Sequence, residues 1–305
     1  MMTSPTVQIA GVSKRYGERY AVRALDLALE PGECVALVGH NGAGKSTLIK
    51  MMLGLTQPSE GGIAVLGEDP SGPHASRLRA SMGFLPENVA FAPAMTGREV
   101  LDFYARLRRL PVAANGALLE RVGLGEAARR RVGTYSKGMR QRLGLAQALL
   151  GAPRVLLLDE PTSGLDPISR QSFYELVREL RETGATVLLS SHALSEIEDR
   201  TDRIAVMSHG RLVACGTLSE LRALAPLPVR IRVHFAEKGS GFAGSMRGPK
   251  AWEWLDERRL ELTCANDTKV ETLRELSSMK GIADIEIIPP TLDEIYAHMM
   301  REAAE

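Results

Sequence analysis

Hydrophobic positions recur with two different periods along this chain, and the changes of period mark out its elements. Residues 7–12 form an apolar-rich stretch of strand length, and in residues 24–29 Leu25, Leu27 and Leu29 alternate with Asp26 and Ala28. Both stretches predict strands. A Pro31-Gly32 turn leads into residues 33–38, apolar from Cys34 on, which predict a buried strand, and residues 46–53 predict a helix. Short strands are expected at 63–66 and at 81–85, the second closed by Pro86. The texture then becomes wholly helical, with helices expected at 98–110, 117–122 and 137–149. Strand texture returns at 154–159, 185–190, 203–207 and 212–214, alternating with helices. Apolar strands alternating with helices predict an α/β fold with a mainly parallel sheet covered on both faces. The helical block at about 96–150 is expected as an insertion into it.

Pro226 and Pro228 mark a composition break. Beyond it, strands at 229–235, 259–264 and 282–288 and helices at 269–279 and 292–301 predict a small α+β domain. Its loop at 239–248 is rich in glycine. The expected division is a first domain at 5–224 and a second at 226–305, with 218–224 as the link.

At 305 residues the chain is long enough for a large core with an appendage. It is 44% hydrophobic and 25% charged with a net charge of +1, so nothing in the balance points to nucleic acid. Arg106, Arg108 and Arg109, and the run Arg129-Arg130-Arg131, read as solvated helix faces or as surfaces for an acidic partner or lipid headgroups. The three cysteines, Cys34, Cys215 and Cys264, are widely spaced, which argues against a disulfide framework. No apolar run reaches the roughly 18 residues of a membrane span. The first five residues carry no secretory signal pattern. A cytoplasmic protein is expected, with any membrane role exercised through a partner.

The chemistry starts at Gly39-His40-Asn41-Gly42-Ala43-Gly44-Lys45-Ser46-Thr47, which fits G-x-x-x-x-G-K-[ST]. Glycines let successive backbone N–H groups turn toward an anion, and the following helix adds the positive end of its dipole. Lys45 can reach the outer phosphates, and the Ser46 hydroxyl can ligate Mg²⁺. Asp159 and Glu160 end a buried strand. A carboxylate at such a strand tip is placed to hold Mg²⁺, and the neighbouring one can orient or deprotonate water. Ser136 and Gly138 open a helix, where they can contact phosphate; Ser136 would cap that helix in any case.

The series P-loop, Ser136-Lys137-Gly138, Asp159-Glu160, Ser163-Gly-Leu-Asp166 and Ser190-Ser-His192 resembles the ATP-binding cassette (ABC) ATPases over about residues 5–220. In that family residues 136–141 would be the signature motif and residues 163–166 the D-loop. The resemblance implies that His192 touches the γ-phosphate and Tyr16 stacks on adenine. It also implies a homodimer of cassettes, each ATP lying between one chain's P-loop and the other's signature helix, where Ser136, Gly138 and Asp166 would contribute. ATP and Mg²⁺ are the implied cofactors. A separate integral-membrane permease would hold the cassette on the cytoplasmic face of the bacterial inner membrane.

Two positions depart from the family pattern. The signature reads Tyr135-Ser-Lys-Gly-Met139 where Leu-Ser-Gly-Gly-Gln is usual, and Glu87 stands where the Q-loop glutamine is usual. Glu87 is expected as a Mg²⁺ ligand. Both variants resemble a branch of single-cassette exporters with a C-terminal domain. Residues 85–89, 135–150, 227–232 and 284–287 further resemble the ATPase subunits of Nos transporters. These serve maturation of the copper sites of nitrous-oxide reductase and work with a periplasmic accessory protein. The alternatives are the motor of a drug or lipid exporter of the same branch, and a soluble ABC ATPase acting on ribosomes or DNA. The last usually carries tandem cassettes or a long coiled-coil insertion. No Asn-Lys-x-Asp motif of guanine recognition occurs. Met51-Met52 and His298-Met299-Met300 read as core filler rather than a copper site.

Overall fold

The structure, a computed structural model, describes residues 4–237 and 251–302. The glycine-rich stretch at 239–248 lies outside the described residues. Contacts divide the chain into two units, residues 1–217 and 218–305.

The first unit holds two sheets. Strands β1 (Val7–Tyr16) and β2 (Arg19–Leu29) pair as one long antiparallel hairpin, and β4 (Glu60–Val65) flanks β1 on its other side. The strands expected at 7–12 and 24–29 are only the buried halves of this hairpin. Its polar halves are paired as well, Tyr16 opposite Arg19 and Lys14 opposite Val22, and no hydrophobic alternation betrays them. Strands β3 (Cys34–Val38), β5 (Met82–Leu85), β6 (Val155–Leu158), β7 (Thr186–Ser191), β8 (Arg203–Ser208) and β9 (Arg211–Gly216) make the second sheet. Its order is β5-β6-β7-β3-β8-β9, parallel except for the last strand, which runs antiparallel to β8. Every residue of β3, β6 and β7 is buried. That is why these strands read as unbroken apolar runs rather than alternations.

Helix α1 (Lys45–Met52) follows β3, and Met51 and Met52 are fully buried in the core it shares with β1, β2 and β4. The short helix α2 (Ala75–Ala80) precedes β5. Between β5 and β6 the chain is helical, with α3 (Gly97–Leu107), α4 (Asn115–Arg121) and α5 (Lys137–Ala148). Thr96 starts α3 with a capping box: its Oγ1 accepts from the Glu99 amide at 3.2 Å, and Glu99 Oε2 accepts from the Thr96 amide at 2.8 Å. These bonds hold the Glu99 carboxyl below its ordinary range. Helix α3 ends earlier than the pattern predicts because Arg109 takes a left-handed backbone, φ 57°. At that end Arg108 ties the helical block to the sheet unit. Its guanidinium donates to the carbonyls of Leu150 at 2.8 Å, Ala80 at 2.8 Å and Met82 at 3.0 Å. Helix α6 (Pro167–Glu182) joins β6 to β7.

The second unit opens with α7 (Leu218–Leu224), the stretch expected as a link. It belongs to this unit instead: Leu221 is buried, and Arg222 Nε donates to the Pro290 carbonyl at 3.0 Å, beside the start of α9 (Leu292–Glu302). Strands β10 (Val229–Phe235), β11 (Ala251–Trp254), β12 (Arg259–Cys264) and β13 (Ile282–Ile288) form an antiparallel sheet in the order β11-β12-β10-β13. Ile231, Val233, Leu260 and Leu262 pack inward with Leu276 of α8 (Lys269–Ser277). On β10, Arg232 bridges Glu261 at 3.0 Å and Glu286 at 3.1 Å. Among the described residues no helix is long and apolar enough to cross a membrane.

Replacing Arg108 leaves three carbonyls without their donor. Arg108→Ala is expected to lower stability by about 2 kcal/mol in denaturant titration, with Arg108→Lys recovering only part of it.

Candidate nucleotide site

The loop between β3 and α1 is glycine-rich because backbone crowds it from two sides. A Cβ on Gly39 would sit 2.5 Å from the Met207 carbonyl oxygen of β8, and one on Gly44 would sit 2.3 Å from the Ala21 carbonyl of β2. Gly44 also has φ 106°, a conformation that L side chains rarely adopt. As N-cap of α1 it offers no side-chain acceptor, so the first N–H groups of the helix stay available to an anion. Lys45 folds back over the loop: its Nζ donates to the Gly39 carbonyl at 2.6 Å and the His40 carbonyl at 3.3 Å. Burial pulls the Lys45 ammonium below its ordinary pKa, and the charges of Glu160, Asp159 and Glu87 oppose that shift.

Asp159 follows β6 and is buried; its amide donates to the Leu85 carbonyl of β5 at 2.8 Å. Ser190, on neighbouring β7, holds both acids. Its Oγ donates to Asp159 Oδ1 at 2.6 Å and accepts from the Glu160 amide at 2.9 Å. Glu160 sits in the left-handed region at φ 50°, and its Oε2 lies 2.6 Å from His192 Nδ1. From α5, Gln141 Nε2 donates to the Pro161 carbonyl at 3.2 Å and braces the same turn.

Lys45, Asp159, Glu160 and His192 line one open cleft of about 810 Å³. Of the residues expected from the sequence it brings together Tyr16, Asn41, Gly42, Ala43, Gly44, Lys45, Ser46, Thr47, Glu87, Asp159, Glu160 and His192. Arg19, Tyr20, Ala21 and Ser163 line it too. Tyr16 is 55% exposed, and the Lys14 ammonium lies 5.1 Å from its ring centre. An aromatic face open to the cleft is the surface on which a base can stack. Asp159 Oδ2 has no protein donor among the described residues, and Ser46 and Glu87 share the cleft. Such a set of hard oxygen donors is the kind that Mg²⁺ takes.

The other expected residues lie off the lining. Gly39 serves through its carbonyl on Lys45, and His40 turns its Nδ1 to the Asn41 carbonyl at 2.9 Å. Ser136 caps α5, accepting from the Met139 amide at 3.1 Å. Gly138 lies against the Gly164 carbonyl, 3.1 Å from where its Cβ would be. Asp166 caps α6, accepting from the Ser169 amide at 2.9 Å and its hydroxyl at 2.7 Å, bonds that hold its carboxyl below the ordinary range. The unusual Tyr135 also has a physical reason. It is buried, its hydroxyl donates to the Ala127 carbonyl at 2.6 Å, and Gly97 makes the room, since a Cβ there would lie 2.3 Å from that hydroxyl.

Sequence reasoning placed Ser190 in a motif but missed its bridging of two acids, and it missed the brace from Gln141. Both are contacts across elements far apart in the chain. For Arg19 and Tyr20 the only signal was their nearness to Tyr16.

A family profile described as ABC transporter matches residues 22–163. The chain is 37% identical to a daunorubicin resistance ATP-binding protein from Streptomyces coeruleorubidus, over 98% of this chain and 96% of that protein. The chain belongs to the ATP-binding proteins of ABC transporters. It is also 40% identical to a Nod factor export ATP-binding protein I from a Rhizobium species, over 71% of this chain and 72% of that one. Among solved structures, an ATP-binding subunit of an ABC transporter superposes with a TM-score of 0.66 at 31% identity, covering 72% of this chain and 92% of that one. The cassette therefore binds ATP with Mg²⁺ and hydrolyses it. Cassettes of this family dimerise and pair with a membrane permease.

Ser190→Ala removes the bridge between Asp159 and Glu160 without adding bulk. ATPase turnover is expected to fall about 10- to 100-fold, with the apparent Mg²⁺ requirement rising and the fold intact by circular dichroism.

Proposed function

We propose that this cassette drives a single-cassette exporter whose cargo is an amphiphilic small molecule or lipid. It would sit on the cytoplasmic face of the bacterial inner membrane against a separate permease. The observation that carries this reading is the end-to-end likeness to a resistance protein, which runs through the second unit as well as the cassette. In this reading the P-loop amides and Lys45 bind the phosphates, Tyr16 stacks on adenine, and Ser46, Asp159 and Glu87 would hold Mg²⁺. That ion supplies neutralising charge to the phosphates when bound. Glu160 takes the proton of the attacking water, oriented by its contact with His192. Ser136, Gly138 and Asp166, which lie off the chain's own cleft, serve the ATP of the partner cassette.

A narrower reading, maturation of the copper sites of nitrous-oxide reductase with a periplasmic accessory protein, rests on the resemblance of residues 85–89, 135–150, 227–232 and 284–287 alone. The relatives reported above are resistance and export proteins and favour the wider one.

Glu160→Gln is expected to lower turnover by at least about 100-fold while ATP binding persists and an ATP-bound dimer accumulates in size-exclusion chromatography. Activity within twofold of the original would remove Glu160 as the base. Co-expressed with its permease in a susceptible host, the cassette is expected to lower accumulation of an amphiphilic drug such as daunorubicin, and Glu160→Gln to abolish that effect. Deletion of its gene separates the narrower reading: nitrous-oxide reductase that is exported but lacks copper supports it, and normal copper loading defeats it.

A further inference from the structure

We propose that His40 and His209 form a binding site for a borderline transition-metal ion of the Zn²⁺ class, which clamps the P-loop to the hairpin beside it. The two residues are 169 positions apart, yet their exposed rings lie with centroids 5.0 Å apart and planes tilted by 55°. Two imidazoles that share one ion stand at nearly this separation. With Zn–N bonds of about 2.0–2.1 Å and ring centres about 1.2 Å behind the nitrogens, two imidazoles at a tetrahedral angle have centroids about 5.2 Å apart.

Both rings stand on fixed backbone. His209 and Gly210 form the tight turn between β8 and β9, with φ of 47° and 80°, and Ser208 pairs with Arg211 across it. The Gly210 amide donates to the Ala43 carbonyl of the P-loop at 3.0 Å, and its carbonyl accepts from the Arg23 amide at 2.8 Å. The turn and the loop are thus held in register before any ion arrives. The tautomer of His40 is also set. Its Nδ1 lies 2.9 Å from the Asn41 carbonyl, which can only accept, so Nδ1 carries the hydrogen and Nε2 keeps its lone pair. A histidine that donates one ring N–H to a carbonyl and offers the other nitrogen has the arrangement of a metal ligand.

No group of three or more histidine, cysteine or acidic side chains gathers to hold a metal among the described residues. The remaining coordination positions therefore fall to water. An ion held here links the second residue of the P-loop to a turn of the sheet and restrains the loop's movement during nucleotide exchange. Micromolar Zn²⁺ is thus an inhibitor of this cassette at a place separate from the catalytic cleft.

The test titrates ZnCl₂ into the nucleotide-free, full-length chain in a non-chelating buffer by calorimetry. Three proteins are compared: the original, His209→Asn, which keeps a residue tolerant of the left-handed backbone, and Asp159→Asn. One ion per chain is expected for the original and for Asp159→Asn, with affinity lowered more than about tenfold in His209→Asn. Cu²⁺ bound to the original should show hyperfine coupling to two imidazole nitrogens by electron paramagnetic resonance. His209→Asn should keep its basal Mg-ATPase rate while losing its sensitivity to Zn²⁺. Unchanged Zn²⁺ affinity in His209→Asn, or loss of the ion in Asp159→Asn alone, would place the ion in the catalytic cleft and overturn the proposal.

Discussion

No side chain fits between the phosphate loop and the strands beside it, and the layout of the first unit depends on that. Gly39 lies against the Met207 carbonyl of β8 and Gly44 against the Ala21 carbonyl of β2. One contact belongs to the mainly parallel sheet and the other to the antiparallel hairpin. The loop is therefore a place where the two sheets meet. Because β2 is pressed against it, Tyr16, Arg19 and Tyr20 at the hairpin's end arrive at the same cleft as Lys45. A methyl group at Gly44 would push the hairpin's end, with Tyr16, away from the loop and Lys45.

The other wall follows from strand order. In the sequence β6-β7-β3 the loops leaving three adjacent parallel strands carry Asp159 with Glu160, His192, and the P-loop. Ligands of parallel α/β sheets gather at the carboxyl ends of the strands. Here β7 lies in the middle, so its Ser190 can reach both acids of β6. The site is rigid on this side because one hydroxyl, one glutamine and one carbonyl of β5 fix the acidic turn.

Much of this was legible in the sequence. Buried strands show as apolar runs, the P-loop shows as a spacing, and the order of motifs showed the family. What stayed hidden has a common physical cause. The polar half of the β1–β2 hairpin is held by backbone pairing, to which residue type is nearly blind. The place of α7 in the second unit shows in the burial of Leu221 and in Arg222 reaching a carbonyl of a distant segment. Tyr135 departs from the motif, and Gly97 beneath its hydroxyl gives it the room to do so. The pairing of these two residues is visible only in three dimensions.

Glu160 stands at φ 50°, a backbone region that glycine and asparagine occupy more readily than glutamate. Holding it there costs the fold on the order of 1 kcal/mol. From that backbone the glutamate carboxylate reaches His192. Selection for thermal stability alone would favour glycine or asparagine at this position. Glutamate here thus marks a demand other than stability, as the proposed role of Glu160 requires, visible in the backbone as well as in the side chain.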